Sequence, residues 1–566
     1  MTLITRQGKG SKLTIQEMDG NLEYLESLAQ EGGDVIISGG TGTGSTVRVD
    51  NGNCASGDFS TVSGGGGIID VCGVPTPVPN TASNLHSTVS GGRCNTASGN
   101  TSTIGGGSSN TASGVNSTVG GGNNNISTSY ESTVGGGASN SSSSYGSTVS
   151  GGFNNTASGV NSTVGGGSTN TSSGYRSTVG GGYSNISSSC FSTVSGGQCN
   201  IASNETSTVG GGCFNTSSSI NSTVGGGGNN TASSSSATVS GGKQNTSSSQ
   251  YSTIGGGDRN TSSAGGSTVG GGRLNCVTST GGYSFIGGGY CNTSSGSFST
   301  VAGGRNNTAS GNYSIVGGGG GYGMLGSLGN VSSGQNSTVG GGGKNTSSGN
   351  SSTIGGGFNN TSSCSNSTIG GGNSNTSSSY FSTVGGGYVN TASGDCSTVG
   401  GGRLNVSCNN SSTVGGGVNN KAQGPSSTVG GGGCNTSSKG CSTISGGNYN
   451  TSNAYFSTVG GGRFNTSSGT NSTIGGGYSN TSSGTNSTVG GGCLNGITSN
   501  TVNSAILGGV QNCNVHCNAM IVGSCINSIM NCTTHVNCLA IMNIPTSPLG
   551  LCSGMVYSEL GTLKIV

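Results

Sequence analysis

Valine or isoleucine returns every 15 residues along most of this chain, preceded by Ser-Thr and followed by a glycine-rich triplet. The unit Val164-Gly-Gly-Gly-Ser-Thr-Asn-Thr-Ser-Ser-Gly-Tyr-Arg-Ser-Thr restarts at Val179, Val194, Val209, Val224, Val239, Ile254 and Val269. On the amino-terminal side the same apolar position holds Val62, Val89, Ile104, Val119, Val134 and Val149. Beyond it stand Ile286, Val301, Val316 and Val339, then the period runs to Val489 and resumes at Leu507 and Val522, 30 copies in all. Longer gaps, such as the 27 residues from Val62 to Val89 or the 23 from Val316 to Val339, read as surface loops, the first holding Cys72-Gly-Val-Pro-Thr-Pro-Val-Pro79.

A fixed period of this length is the signature of a solenoid, in which each unit forms one coil. Ser-Thr-Val/Ile reads as a strand, the glycine triplet as a turn, Asn-Thr-Ser/Ala-Ser as a second strand, and the next few residues, often with a glycine, as a second turn. Side chains alternate along a strand, so Val and the Ser two places before it point inward and the Thr between them outward. In the second strand the Ser/Ala position is the inward one. The expected fold is therefore all-β, a parallel β-roll or solenoid of 15-residue coils with a thin core. Burying one Val contributes about 1.5–3 kcal/mol, whereas ordering 15 residues of backbone costs roughly 15–30 kcal/mol. Inter-coil hydrogen bonds offset part of this at about 0.5–1.5 kcal/mol each, and packing several chains on a common axis, with glycines allowing close approach, is expected to supply more. A closed homo-oligomer follows.

Composition narrows the class. The chain is 28% apolar and 5% charged, with 124 glycines, six prolines, no tryptophan and a net charge of +2. Globular domains are about 45–50% apolar and about 25% charged. Disordered chains are usually rich in charge or proline. A nucleic-acid partner calls for a basic stripe, which is missing, and no apolar run has bilayer-spanning length, so neither nucleic acid nor a membrane is expected as a partner. The opening Met1–Lys12 carries no signal-peptide core, and release by another route, such as lysis, is expected. Thr14 and Glu17 form a capping-box pattern. Ile15, Met18, Leu22, Leu25 and Ala29 have the spacing of a short coiled coil or of a single docked amphipathic helix.

The runs Asn155-Thr-Ala-Ser-Gly-Val-Asn-Ser-Thr-Val164 and Asn390-Thr-Ala-Ser-Gly-Asp-Cys-Ser-Thr-Val399 resemble the head repeats of trimeric autotransporter adhesins. That resemblance covers roughly residues 50 to 500 and implies a left-handed parallel β-roll with three chains side by side. The family's repeat is usually one residue shorter and has two residues where only Thr163 separates Ser162 from Val164. Thr5–Leu22 is similar to the openings of phage tail-fibre and related virion proteins, and Pro545–Leu551 with Gly561–Val566 resembles their closing segments. The resemblances imply a homotrimeric virion fibre in three parts: an attachment segment over residues 1–34 that contacts other virion proteins, a shaft over 35–502, and a cysteine-rich cap over 503–566. The implied location is the virion or the extracellular space, and the implied role is structural, with host attachment through surface glycans or a receptor. A cell-surface adhesin, or an extracellular sheath or filament protein, is the alternative. An intertwined triple-stranded shaft is the alternative fold, and an ice-binding solenoid is disfavoured because paired Thr-x-Thr faces are missing.

No catalytic constellation emerges. The histidines are His86, His516 and His535, acidic residues are scattered, and the glycine triplets lack the Lys-Ser/Thr and helix of a phosphate loop. Neither an enzyme nor a cofactor is expected. Among 20 cysteines, Cys513-x-x-His516-Cys517 with Cys532-x-x-His535 has the look of a zinc site. Cys517 and Cys532 are one period apart, however, and stacking at about 4.8 Å makes a disulfide or plain packing the preferred reading, with no metal. Asn-Thr-Ser and Asn-Ser-Thr triplets are formal glycosylation sequons that arise from the repeat itself. For binding, aromatic and basic residues gather at the fourth, fifth, eleventh and twelfth positions after the coil's Val, at or beside the turns. Tyr380, Phe381, Tyr455 and Phe456 are the expected contact residues.

Overall fold

A computed structural model describes residues 37–48, 52–71, 74–323, 326–537, 544–547, 549–550, 555–559 and 562–565. The attachment segment and its expected helix lie outside these residues. Among the described residues there is no helix, and the chain is a parallel β-solenoid of about 32 coils. It divides into two compact units, residues 1–310 and 311–566.

In the first unit a short antiparallel pair, Ile37–Gly39 against Thr46–Arg48, leads into the stack. Val47 pairs in parallel with Val62, which adds a coil before the first one expected from the repeat. Each coil then contributes two-residue strands. Thr163–Val164 pairs with Thr178–Val179 on one face, and Thr156–Ala157 with Thr171–Ser172 on the other. The fourth residue of each coil forms a third line of single parallel bridges, from Arg93 through Phe153 and Tyr183 to Arg305. The insertion after Val62 is a hairpin, Ile68–Val71 against Val74–Pro77.

The second unit repeats this plan from Ile315–Val316 onward, with a hairpin of Tyr322–Gly323 and Gly326–Ser327 in its insertion. Near its end the register differs from the sequence expectation. Val489 pairs with Ile506, and Ile506 with Ile521. Ile506 and Ile521 are fully buried, while Leu507 and Val522 face solvent. Two adjacent apolar residues compete for one inward position there, and backbone alternation awards it to the isoleucine. One more coil follows, in which Ile521 pairs with His535 after only 14 residues. The stack thus continues well past residue 503, and a hairpin of Val556–Glu559 and Thr562–Ile565 lies beyond it.

Inside each coil the three expected inward columns are present: Ser162 and Val164 are fully buried, as is Ala157 of the second strand. A further column was not anticipated. The Asn that opens the second strand, two residues before the Ser/Ala, is buried in every regular coil, from Asn95 to Asn307 in the first unit and from Asn330 to Asn512 in the second. In the first unit Asn230 Nδ2 donates to the carbonyl of Gly226 in its own coil and of Gly242 in the next, both at 2.8 Å. Its Oδ1 accepts the N–H of Asn245 at 2.9 Å. Buried amides are tolerated only when so satisfied, and here satisfaction comes from carbonyls of the glycine turns in two successive coils. Ser127 and Ser132 close the opposite turn through their hydroxyls, 2.7 Å apart. The core is therefore a thin apolar line flanked by hydrogen-bonded amide and hydroxyl columns. Coils stack by hydrogen bonds within one chain, unlike an intertwined three-chain shaft.

Candidate functional site

The coil has two kinds of bend, and both take their shape from backbone direction. Strand residues donate to the following coil, as Thr163 N–H does to Ser177 O at 3.0 Å and Gly165 N–H to Val179 O at 2.8 Å. The fifth and twelfth residues donate backward: Thr169 N–H to Phe153 O at 2.9 Å, and Arg176 N–H to Val160 O at 2.8 Å. That reversal places both positions in the left-handed region, with φ near 55° at Thr169 (56°), Arg176 (53°) and Phe191 (57°). The left-handed conformation costs a residue other than glycine roughly 1–2 kcal/mol, with Asn the usual exception, which accounts for the frequency of Asn at the twelfth position. The side chains there project outward from a fixed bend, so the variable residues of the repeat line two edges of the stack.

All four expected contact residues sit on the edge formed by the eleventh and twelfth positions. Tyr380 is 54% exposed, Phe381 59%, Tyr455 56% and Phe456 57%. Phe381 and Phe456 are the left-handed residues of their turns. Tyr380 N–H points at Asp395 Oδ1 at 3.3 Å, and the Tyr455 ring lies against Gly440. The two pairs are five coils apart, on the order of 24 Å at the usual strand spacing, so they form two separate patches.

Contiguous patches occur instead where aromatics or arginines fall in successive coils. Tyr449, Phe464 and Tyr478 join across three coils, with ring centroids 5.1 Å and 5.9 Å apart, and Arg463 lies 4.7 Å from the Phe464 centroid. In the first unit Tyr290 has Arg273 at 5.9 Å and Arg305 at 4.9 Å from its ring, while Arg273 Nε meets Asp258 at 3.1 Å. Tyr130 and Tyr145 stack at 5.4 Å, and the Glu131 carboxylate beside Tyr145, together with desolvation and Tyr130, holds its phenol above the ordinary value. In the sequence these side chains are 14 to 17 residues apart, one coil in each case, and that spacing is the signal that marks them.

Cys517 and Cys532 lie on neighbouring coils, with Cys532 N–H donating to Cys517 O at 3.0 Å. Because the last coil has 14 residues, they are diagonal neighbours and do not share a column: Cys532 is paired with Asn518, whose Nδ2 lies 3.7 Å from its sulfur, and Cys517 N–H bonds Asn531 Oδ1. Both thiols are free. His516 Nδ1 meets Ser528 Oγ at 2.9 Å and His535 Nε2 meets Thr533 Oγ1 at 2.8 Å. Among the described residues, no three His, Cys, Asp or Glu side chains converge on a metal-sized site, and no helix is long and apolar enough to cross a membrane. In comparison with known proteins, no family model and no curated sequence matches this chain.

Proposed function

We propose that the chain forms the shaft of a homotrimeric fibre, carried on a virion or phage tail outside the cell, that attaches to a host surface through its variable edges. The observation that carries the oligomer is the second glycine of each triplet. The third glycine is required by its own chain: Gly227 has φ of +88°, and a Cβ there would lie 2.0 Å from the Gly242 carbonyl oxygen. At the second glycine space makes no such demand, although the backbone does in some coils, where φ is +152° at Gly211 and +156° at Gly256. A Cβ on Gly226 or Gly241 meets nothing within 4 Å, and neither backbone is left-handed. Yet the second position is glycine in every coil from Gly64 to Gly508. Two residues further on, the fourth position of the first unit alone carries Arg, Ser, Asn, Ala, Phe, Tyr, Gln, Cys, Gly, Lys and Asp. The copies have diverged widely where nothing constrains them, and the open space at second glycines such as Gly226 and Gly241 supports a constraint from outside the chain. A partner that approaches every coil must share the coil's rise, and another copy of the same chain does. Three copies, rather than two, is what the resemblance to the adhesin head repeats supports, and the terminal segments support the virion setting.

Mass photometry of the full chain tests the oligomer. The wild type is expected as a trimer, and Gly226→Ala/Gly241→Ala as a folded protein of lower mass. A wild type that is folded and monomeric overturns the proposal. Immunogold labelling of purified virions and of cell envelopes tests the setting: label confined to envelopes would replace the virion fibre by the cell-surface adhesin.

A further inference from the structure

The repeat generates two kinds of Asn-x-Ser/Thr triplet, and the solenoid sorts them. In Asn170-Thr171-Ser172 the first and third residues are both fully buried. Asn170 Nδ2 is held by the carbonyls of Gly166 and Gly182, each at 2.8 Å, and Ser172 Oγ by Ser177 Oγ at 2.7 Å. In Asn161-Ser162-Thr163 the alternation is reversed: Ser162 is inside, whereas Asn161 is exposed and Thr163 half-buried on the outer side. By burial, the first and third residues of each triplet lie together, either both inside or both on the outer side.

The outward kind recurs at Asn116, Asn161, Asn221, Asn336 and Asn366, each followed by Ser-Thr. All five are exposed and sit in the left-handed turn position, with φ between 55° and 58°. Their Nδ2 atoms make no hydrogen bond with a described residue. Asn471 and Asn486 have the same triplet, but Asn471 Nδ2 is engaged by Asn486 at 3.0 Å and Asn486 Nδ2 by Asn503 at 3.1 Å.

We infer that Asn116, Asn161 and Asn221 of the first unit and Asn336 and Asn366 of the second are acceptors for N-linked sugar, lining the twelfth-position edge of each unit, and that the buried asparagines are not. The co-reactant is a sugar activated as a diphosphate ester, on a polyprenyl lipid or on a nucleoside. Asn Nδ2 forms the new bond to the sugar C1, the bond from C1 to the diphosphate oxygen breaks, the diphosphate leaves with its electron pair, and Nδ2 loses one proton. The Thr hydroxyl two residues on lies on the same outer face, where an enzyme reading the triplet meets both groups. A glycan on a ladder asparagine, by contrast, would remove hydrogen bonds to three backbone groups and could not fit inside the coil. The acceptors lie on the bend between the eighth and thirteenth positions, and the glycine triplets form the other bend, so sugar there leaves the glycine edge clear. The inference does not depend on the proposed trimer.

The test expresses the full chain in a eukaryotic cell line, once directed into the secretory lumen by an added leader and once left in the cytosol, with glycopeptide mapping of the folded fraction. Sugar on the five exposed asparagines in the lumenal arm alone assigns the polyprenyl donor, and sugar in the cytosolic arm assigns a nucleotide-sugar transferase. Occupancy is expected to exceed that of Asn170, Asn215, Asn245 and Asn260 by roughly a hundredfold, a ratio that corresponds to about 2.8 kcal/mol. Thr163→Ala should abolish sugar at Asn161 alone. No sugar at the five in either arm, or comparable sugar on the buried four, overturns the inference.

Discussion

Asn230 and Asn245 stand one coil apart, and the Oδ1 of the first accepts the main-chain N–H of the second at 2.9 Å. Every such Asn also bridges two glycine carbonyls, so the ladder ties each coil to the next through groups that water would otherwise have to satisfy. Asn230→Ala leaves the Gly226 carbonyl and the Asn245 N–H without a partner, while the Gly242 carbonyl keeps the Gly228 N–H. At about 1–3 kcal/mol for each buried orphan, the loss should be about 2 kcal/mol or more, read as faster amide exchange at Asn245 and a lower thermal midpoint. Unchanged exchange would mean that water replaces the amide at no cost.

Charge in the apolar column should be worse. Val224 is fully buried, and an unpaired carboxylate at that place costs on the order of several kcal/mol. Val224→Asp is expected to prevent folding of the surrounding coils at neutral pH, seen by circular dichroism and limited proteolysis.

The opposite sign is expected at Ala97 and Ala112. Where the eighth position is Ser, its hydroxyl meets the Ser at the thirteenth, as in Ser127 with Ser132. With Ala97 and Ala112 there instead, Ser102 and Ser117 Oγ are buried without a partner. Ala97→Ser and Ala112→Ser should each stabilise by about 0.5–1.5 kcal/mol. A fall in the denaturation midpoint would show that the added oxygen is not accommodated.

Thiol reactivity should follow burial. Burial pushes the Cys276 thiol above its ordinary value, whereas Cys94, Cys396 and Cys441 are exposed. The thiolate is the reacting form, so iodoacetamide at neutral pH should alkylate the exposed three first. Cys276 should become reactive only as pH rises further, with mass spectrometry following each peptide.

Replacing Tyr380, Phe381, Tyr455 and Phe456 by Ser should leave folding intact, since all four are exposed, and should weaken attachment or lateral bundling of fibres. Adsorption and bundling equal to wild type would leave these rings as ordinary turn residues. The same substitutions at Tyr449, Phe464 and Tyr478 supply the comparison, because those rings form one joined patch.

The 15-residue period by itself determined the parallel solenoid, the inward Val, Ser and Ser/Ala columns and the outward turns, because strand alternation leaves one way to bury an apolar residue that recurs once per coil. It did not reveal the asparagine ladder. Asn is a turn residue by local preference, and its burial depends on glycine carbonyls four residues before it and twelve after it, which become neighbours only when coils stack. The choice of Ile506 over Leu507 and the 14-residue final coil that sets Cys532 beside Asn518 were likewise decided by tertiary register. So was the sorting of sequons, since Asn170 and Asn161 open similar triplets and only the closed coil turns one inward and the other out.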